Sequence, residues 1–163
     1  MPADTQLVLA AIPPIRPRGA EFRYASLPLC ILDAVYSLGE QYPKVEALVG
    51  RYVRHYRVPQ HRPSFDVLPP RDEQLTTAKL AQQIEAAGPE RFAGDILQNM
   101  RPTSSSRNAP LRSVAALEAA RTLAAHGVAV LQDVARQDAD DLRRASRRAR
   151  HHRHRGRLHH LGH

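Results

Sequence analysis

The chain of 163 residues is long enough for one domain of ordinary size. Cys30 is the only cysteine, which excludes internal disulfides, four-cysteine zinc sites and cysteine-held iron–sulfur clusters. The formal net charge is +8, but all 16 acidic residues and 16 of the 24 Lys and Arg precede Arg143. The whole positive excess therefore belongs to the last 21 residues.

The N-terminal segment, residues 1–21, is rich in proline and has no stable period, which predicts an irregular arm. Its apolar stretch at 7–12 ends at Pro13 and Pro14 and is too short for a signal core or a membrane span. We therefore expect a soluble, cytoplasmic protein with no membrane partner.

Two helices are predicted next. The stretch SLPLCILDAVYSLG favours a buried helix that Ser26 caps and Gly39 ends. A second helix should begin near Pro43, because apolar residues then recur at helical spacing along one face. That stripe comprises Val45, Leu48, Val49, Tyr52, Val53 and Tyr56.

The rest of the ordered region also favours helices. Prolines between residues 59 and 70 predict a linker, after which Asp72 is expected to open a third helix. A short fourth helix should reach Met100, and a fifth should run from Leu111 to His126, before a sixth element at 128–136. No segment alternates long enough to favour a sheet. The predicted fold class is all-α, with a single helical domain at 22–142 and a flexible basic tail at 143–163.

Two segments carry a resemblance to a known superfamily. FRYASLPLCILDAVYSLGEQYPKVEALVGRY and NAPLRSVAALEAARTLAAHGVAVLQDVARQDADDL, taken in this order, resemble the helix-hairpin-helix DNA glycosylases, which are endonuclease III-like base-excision enzymes, and their uncharacterised bacterial relatives. The resemblance implies a partial glycosylase fold and a role on DNA, in repair. It also implies that a Leu-Pro-Gly-x-Gly-like hairpin and a catalytic aspartate should follow.

The C-terminal stretch RRASRRARHHRHRGRLHHLGH stands where that hairpin is expected. We therefore assign no catalytic residue and predict a DNA-associated protein without glycosylase activity in this chain. Three interpretations of the tail stay open. It is the out-of-frame end of a truncated, non-functional gene fragment, or a cationic segment of a nucleic-acid-binding accessory protein, or a histidine-rich stretch that captures metal only adventitiously. No cofactor and no physiological metal site is predicted.

Candidate DNA contacts lie in the polar loop after Met100, on the helix that follows it, and in the tail, where guanidinium and hydroxyl groups can contact phosphates without reading sequence. A solvated loop with no binding role is the alternative. The candidates are Arg101, Ser104, Ser105, Ser106, Arg107, Arg112, Arg143, Arg144, Arg147 and Arg148.

Two further residues invite a catalytic role that we do not assign. Asp33 lies in an apolar helix and is expected to pair with an arginine or a hydroxyl. His126 precedes Gly127 and is expected to end a helix.

The missing hairpin has a consequence for the apolar surface that it would cover. Self-association through incompletely covered side chains is therefore predicted. These side chains are Leu117, Leu123, Val130, Leu131 and Val134.

Overall fold

A computed structural model of the protein describes residues 24–137 and residue 140, and this part is helical. The helices are α1 (Leu27–Tyr36), α2 (Tyr42–Tyr56), α3 (Thr77–Ala87), α4 (Pro89–Arg91, continued by a π-helical turn at Phe92–Leu97), α5 (Arg112–Ala125) and α6 (131–137). A 3-10 turn at Arg71–Glu73 precedes α3. In this part of the chain the only β-type pairings are two isolated bridges, so the all-α prediction is confirmed. The arm at 1–21 and the tail at 143–163 lie outside the described residues.

Helix α1 is buried on several sides, as its sequence predicts. Leu29, Leu32 and Tyr36 are completely buried. Ser26 occupies the N-cap position with extended backbone, although its side chain makes no capping hydrogen bond. The chain leaves the helix through Gly39, whose φ of +69° lies in the left-handed region that glycine adopts without strain.

Helix α2 carries the predicted apolar stripe. Its first four members are buried, while Val53 and Tyr56 are half-buried against the core. Arg51 lies outside the stripe, and its Nε donates a hydrogen bond to the carbonyl oxygen of Leu97, 2.8 Å away. This bond ties α2 to the end of the π-helical turn.

Helix α3 begins at Thr77, five residues after the predicted start at Asp72. Thr76 is the N-cap, because its hydroxyl accepts a hydrogen bond from the backbone N–H of Lys79 at 3.1 Å. Asp72 lies instead in the separate 3-10 turn, and extended backbone at Gln74 interrupts the helical path between them.

The fourth helix also ends earlier than predicted. The π-helical turn stops at Leu97, and Gln98 takes left-handed backbone with a φ of +51°. Met100, expected on the apolar side of this helix, is consequently 53% exposed.

The C-terminal part of the described chain covers much of the surface that we expected to be open. Helix α5 packs against α3 and α1, and Leu117 is buried there. Val130 is only 2% exposed, because residues 128–130 run beside the start of α3 and bond to Thr77. Leu123 and Leu131 are half-buried, while Val134 is 37% exposed. The predicted uncovered patch is therefore corrected at Leu117 and Val130.

A polar network joins the turn before α3 to α6. Asp133 is almost fully buried and accepts two hydrogen bonds from Arg71, at 2.8 and 3.2 Å. It also accepts hydrogen bonds from the backbone N–H groups of Ala129 and Val130, at 2.9 and 3.1 Å. Gln74 extends the network by donating to Gln132 and accepting from the N–H of Leu131. These contacts join segments that are 57 to 62 residues apart in the sequence.

Two kinds of feature are absent from the described residues. No helix there is long and apolar enough to cross a bilayer. No group of three or more His, Cys, Asp or Glu side chains in that region is arranged to hold a metal ion.

Candidate functional site

The loop between Met100 and α5 is a hairpin-like projection with a fixed base. The backbone N–H of Thr103 donates to the carbonyl oxygen of Pro110 at 2.8 Å. The backbone N–H of Arg112 donates to the carbonyl oxygen of Arg101 at 3.0 Å. Residues 101–108 are all exposed. The bonds at the base fix the position of the exposed tip on the domain.

Five predicted contact residues lie on this projection, namely Arg101, Ser104, Ser105, Ser106 and Arg107. Arg101 forms an ion pair with Glu40, whose side chain is only 5% exposed. Arg107 has no hydrogen-bond or ion-pair partner within 24–137, and its guanidinium is available to an anion. The hydroxyl of Ser104 accepts a hydrogen bond from the backbone N–H of Ser106 at 3.3 Å. This bond helps to fix the conformation of the loop tip.

Arg112 is placed differently from the prediction, which expected it at a phosphate-facing surface. Arg112 is only 8% exposed. The guanidinium donates to three backbone carbonyls, those of Tyr36 at 2.9 Å, Leu38 at 2.7 Å and Pro102 at 3.2 Å. Two of these carbonyls lie at or just after the C-terminus of α1, where unsatisfied carbonyls and the helix dipole favour a cation. Arg112 therefore anchors the loop to α1, and its guanidinium is engaged by backbone carbonyls rather than presented at the surface.

A second feature is an open groove that the end of α2, the outer face of α3 and the α4 turn enclose. Its volume is about 520 Å³, and six of the ten residues that line it are strongly polar or charged. They are His55, Lys79, Gln82, Gln83, Arg91 and Asp95. None of these residues was singled out from sequence, because they come from three helices and form no local motif.

A family described as "Domain of unknown function (DUF8548)" matches residues 6–157. The chain belongs to this family. No curated protein and no solved structure matches it. The family match continues through residues 143–157, which form most of the Arg/His-rich tail.

The remaining predicted DNA contacts, Arg143, Arg144, Arg147 and Arg148, lie outside the described residues. The loop is thus the part of the predicted interface that the structure describes. It brings Arg101, Ser104, Ser105, Ser106 and Arg107 onto one exposed projection of this family member.

Asp33 and His126 occupy the structural positions that we expected. Asp33 is half-buried and accepts a hydrogen bond of 2.6 Å from the hydroxyl of Tyr24. Burial, and then the bond to Asp33, raise the pKa of Tyr24 far above its usual range, so Tyr24 remains a proton donor in this pair. His126 ends α5, with Nδ1 at 2.7 Å from the carbonyl oxygen of Thr122.

Cys30 has the environment of a packing residue, as expected. It is half-buried, and burial raises the pKa of its thiol to about 11. Its Sγ lies 3.6 Å from the carbonyl oxygen of Ser26. At neutral pH this thiol is protonated and a poor nucleophile.

Proposed function

We propose that this protein associates with DNA through sequence-independent phosphate contacts and that this chain carries out no glycosylase chemistry. The observation that carries the proposal is the separation of charge along the chain. Before Arg143 the 16 basic and 16 acidic residues cancel, while the last 21 residues contain eight arginines and no acid. A dense cationic segment on a neutral domain is a means of binding polyanions by counterion release.

The folded domain contributes a second contact surface in this proposal. The loop tip carries Arg107 and several hydroxyl groups, which are the side chains that commonly contact phosphate oxygens. Because the loop base is fixed by backbone bonds and by Arg112, little ordering is needed when DNA binds. The resemblance to helix-hairpin-helix glycosylases is what favours DNA as the polyanion.

The extent of the family match supports a working tail. An out-of-frame ending predicts that similarity to the family stops near Leu142, whereas the match runs to residue 157. Base excision needs a positioned carboxylate. We assign that role to no residue of this chain and therefore propose no catalytic step.

Salt dependence of DNA binding tests the role of the tail. Eight phosphate contacts from the tail contribute about −7 to the slope of log Kobs against log [KCl], and Arg107 contributes about −1. Replacing the eight arginines of residues 143–163 with glutamine in the full chain should reduce this slope to about −1. Fluorescence anisotropy with a labelled 20-base-pair duplex across a KCl series measures both values. An unchanged slope would remove the tail from the proposal, and release of a damaged base by the wild-type protein would overturn the absence of chemistry.

The loop is tested separately by Arg107→Gln. Loss of one phosphate contact should weaken binding severalfold on every duplex sequence and should lower the magnitude of the salt slope by about 1. Arg121→Gln is the matched control, since Arg121 is also exposed but is paired with Glu85 at 2.9 Å. Equal effects of the two substitutions would mean that Arg107 acts only through net charge.

A further inference from the structure

The groove between α2, α3 and α4 has the hydrogen-bonding character of an anion site. Gln82 accepts a hydrogen bond from Lys79 Nζ at 3.2 Å, and Gln83 accepts one from the hydroxyl of Tyr52. Each glutamine therefore uses its amide oxygen within the protein. The two amide NH₂ groups and the other N–H bonds of Lys79 are donors that remain for a ligand.

The net charge of the side chains that line the groove also favours an anion, because two cations stand against one carboxylate. Lys79 and Arg91 lie on its wall, and the carboxylate of Asp95 stands 3.6 Å from Arg91 Nε. Both side chains of that pair are largely exposed, at 82% and 72%, so their mutual attraction is weak. An anionic ligand can therefore replace Asp95 as the partner of Arg91 at little cost.

One end of the groove is aromatic. The ring of Tyr56 is half-buried and held by neighbouring rings, with His55 at 4.7 Å and Tyr52 at 4.9 Å between centroids. Burial raises the pKa of Tyr56, so its phenol is neutral at physiological pH and does not repel an anion. Ala86 and Ile96 add apolar surface beside it. A rigid ring next to apolar carbon is a suitable surface for a planar base.

We propose that this groove binds a nucleoside monophosphate, with the phosphate at Lys79 and Arg91 and the base against Tyr56 and His55. A volume of about 520 Å³ lies within the usual range for small-molecule sites. The site lies on the folded domain and uses neither the loop nor the tail, so it is independent of the proposed DNA association.

Calorimetric titration of the full-length protein with AMP tests the proposal. AMP should bind at least tenfold more tightly than either adenosine or inorganic phosphate, because each of these lacks one half of the recognised group. Lys79→Gln should weaken AMP binding about tenfold, the effect of losing one charged hydrogen bond. AMP affinity equal to that of adenosine, or unaffected by Lys79→Gln, would overturn the proposal.

The sequence supplies a matched control, because Lys44 and Lys79 are its only lysines. Both are exposed, and Lys44 lies at the opposite end of α2 beside Glu40. Lys44→Gln makes the same charge change and should leave AMP affinity unaltered. Acetylation followed by mass spectrometry gives a second readout in the wild-type protein, in which AMP should slow modification of Lys79 at least threefold and leave Lys44 unaffected.

The variant with eight tail arginines replaced separates the two proposals. It should bind AMP as the wild type does, even though its DNA binding is greatly weakened. If AMP binding disappears with the tail arginines and survives Lys79→Gln, the groove proposal is wrong while the DNA proposal stands.

Discussion

Replacing Arg112 with methionine should lower the free energy of unfolding by about 4 kcal/mol, with a fall in Tm of about 15 °C. Methionine keeps much of the apolar stem but removes every donor. The carbonyls of Tyr36, Leu38 and Pro102 would then lose their hydrogen bonds, of which the one to Tyr36 is buried and the other two are partly buried. Leaving buried acceptors unsatisfied costs more than the net gain that their bonds provide.

Arg112→Lys separates the contribution of the planar guanidinium, with its several N–H donors, from the contribution of the positive charge. Lysine keeps the charge, but its single ammonium cannot span three carbonyls on two segments, so we expect about half of the methionine effect. Arg121→Ala removes an exposed arginine from the same helix and should cost no more than about 0.5 kcal/mol. Urea unfolding monitored by circular dichroism measures all three. Wild-type stability in Arg112→Lys would contradict the three-point anchoring of the loop.

Asp133→Asn should lower the free energy of unfolding by about 2 to 3 kcal/mol at pH 7. The substitution is nearly isosteric, but it leaves Arg71 without its charged partner and weakens the capping of residues 129 and 130. Asp66→Asn, in the exposed linker, is the control and should change stability by less than about 0.5 kcal/mol.

The same carboxylate predicts a pH dependence of stability. The hydrogen bonds from Arg71 lower the pKa of Asp133 from 3.8 to about 2 in the folded protein. Because the folded pKa is depressed, the stabilisation is fully present above about pH 4 and disappears as the pH falls toward 2. The difference between wild type and Asp133→Asn should therefore shrink across this interval in urea titrations. A difference that stays constant from pH 5 to pH 2 would show that the charge of Asp133 is not what stabilises α6.

The features that sequence predicts best are those that local periodicity determines. The stripe from Val45 to Tyr56 specified α2 within one residue of its start, because one face of a helix must be apolar to pack. Asp33 was assigned to a hydroxyl or arginine partner because a carboxylate inside an apolar helix needs one, and Tyr24 fills that role. In both cases the physical requirement is visible within a few turns of chain.

The features that sequence did not reveal depend on distant partners. Arg112 resembled a surface arginine of a polar loop, yet it contacts carbonyls 76 and 74 residues earlier in the chain. The start of α3 was displaced from Asp72 to Thr77 because Gln74 and Thr77 bond to residues 128–132. The groove likewise requires Lys79 and Arg91 to meet His55 across three helices. No local pattern marks such juxtapositions.

The π-helical turn at Phe92–Leu97 makes the length of this segment unusually critical. Its wider winding lets Phe92 and Leu97, five positions apart, both enter the core, while Asp95 and Ile96 face the groove. Deleting one residue here would return the turn to ordinary α-helical winding and shift every later side chain of the segment by one position. Hydrophobic contact and groove lining would then be lost together, so we expect this short stretch to tolerate changes of residue type better than changes of length.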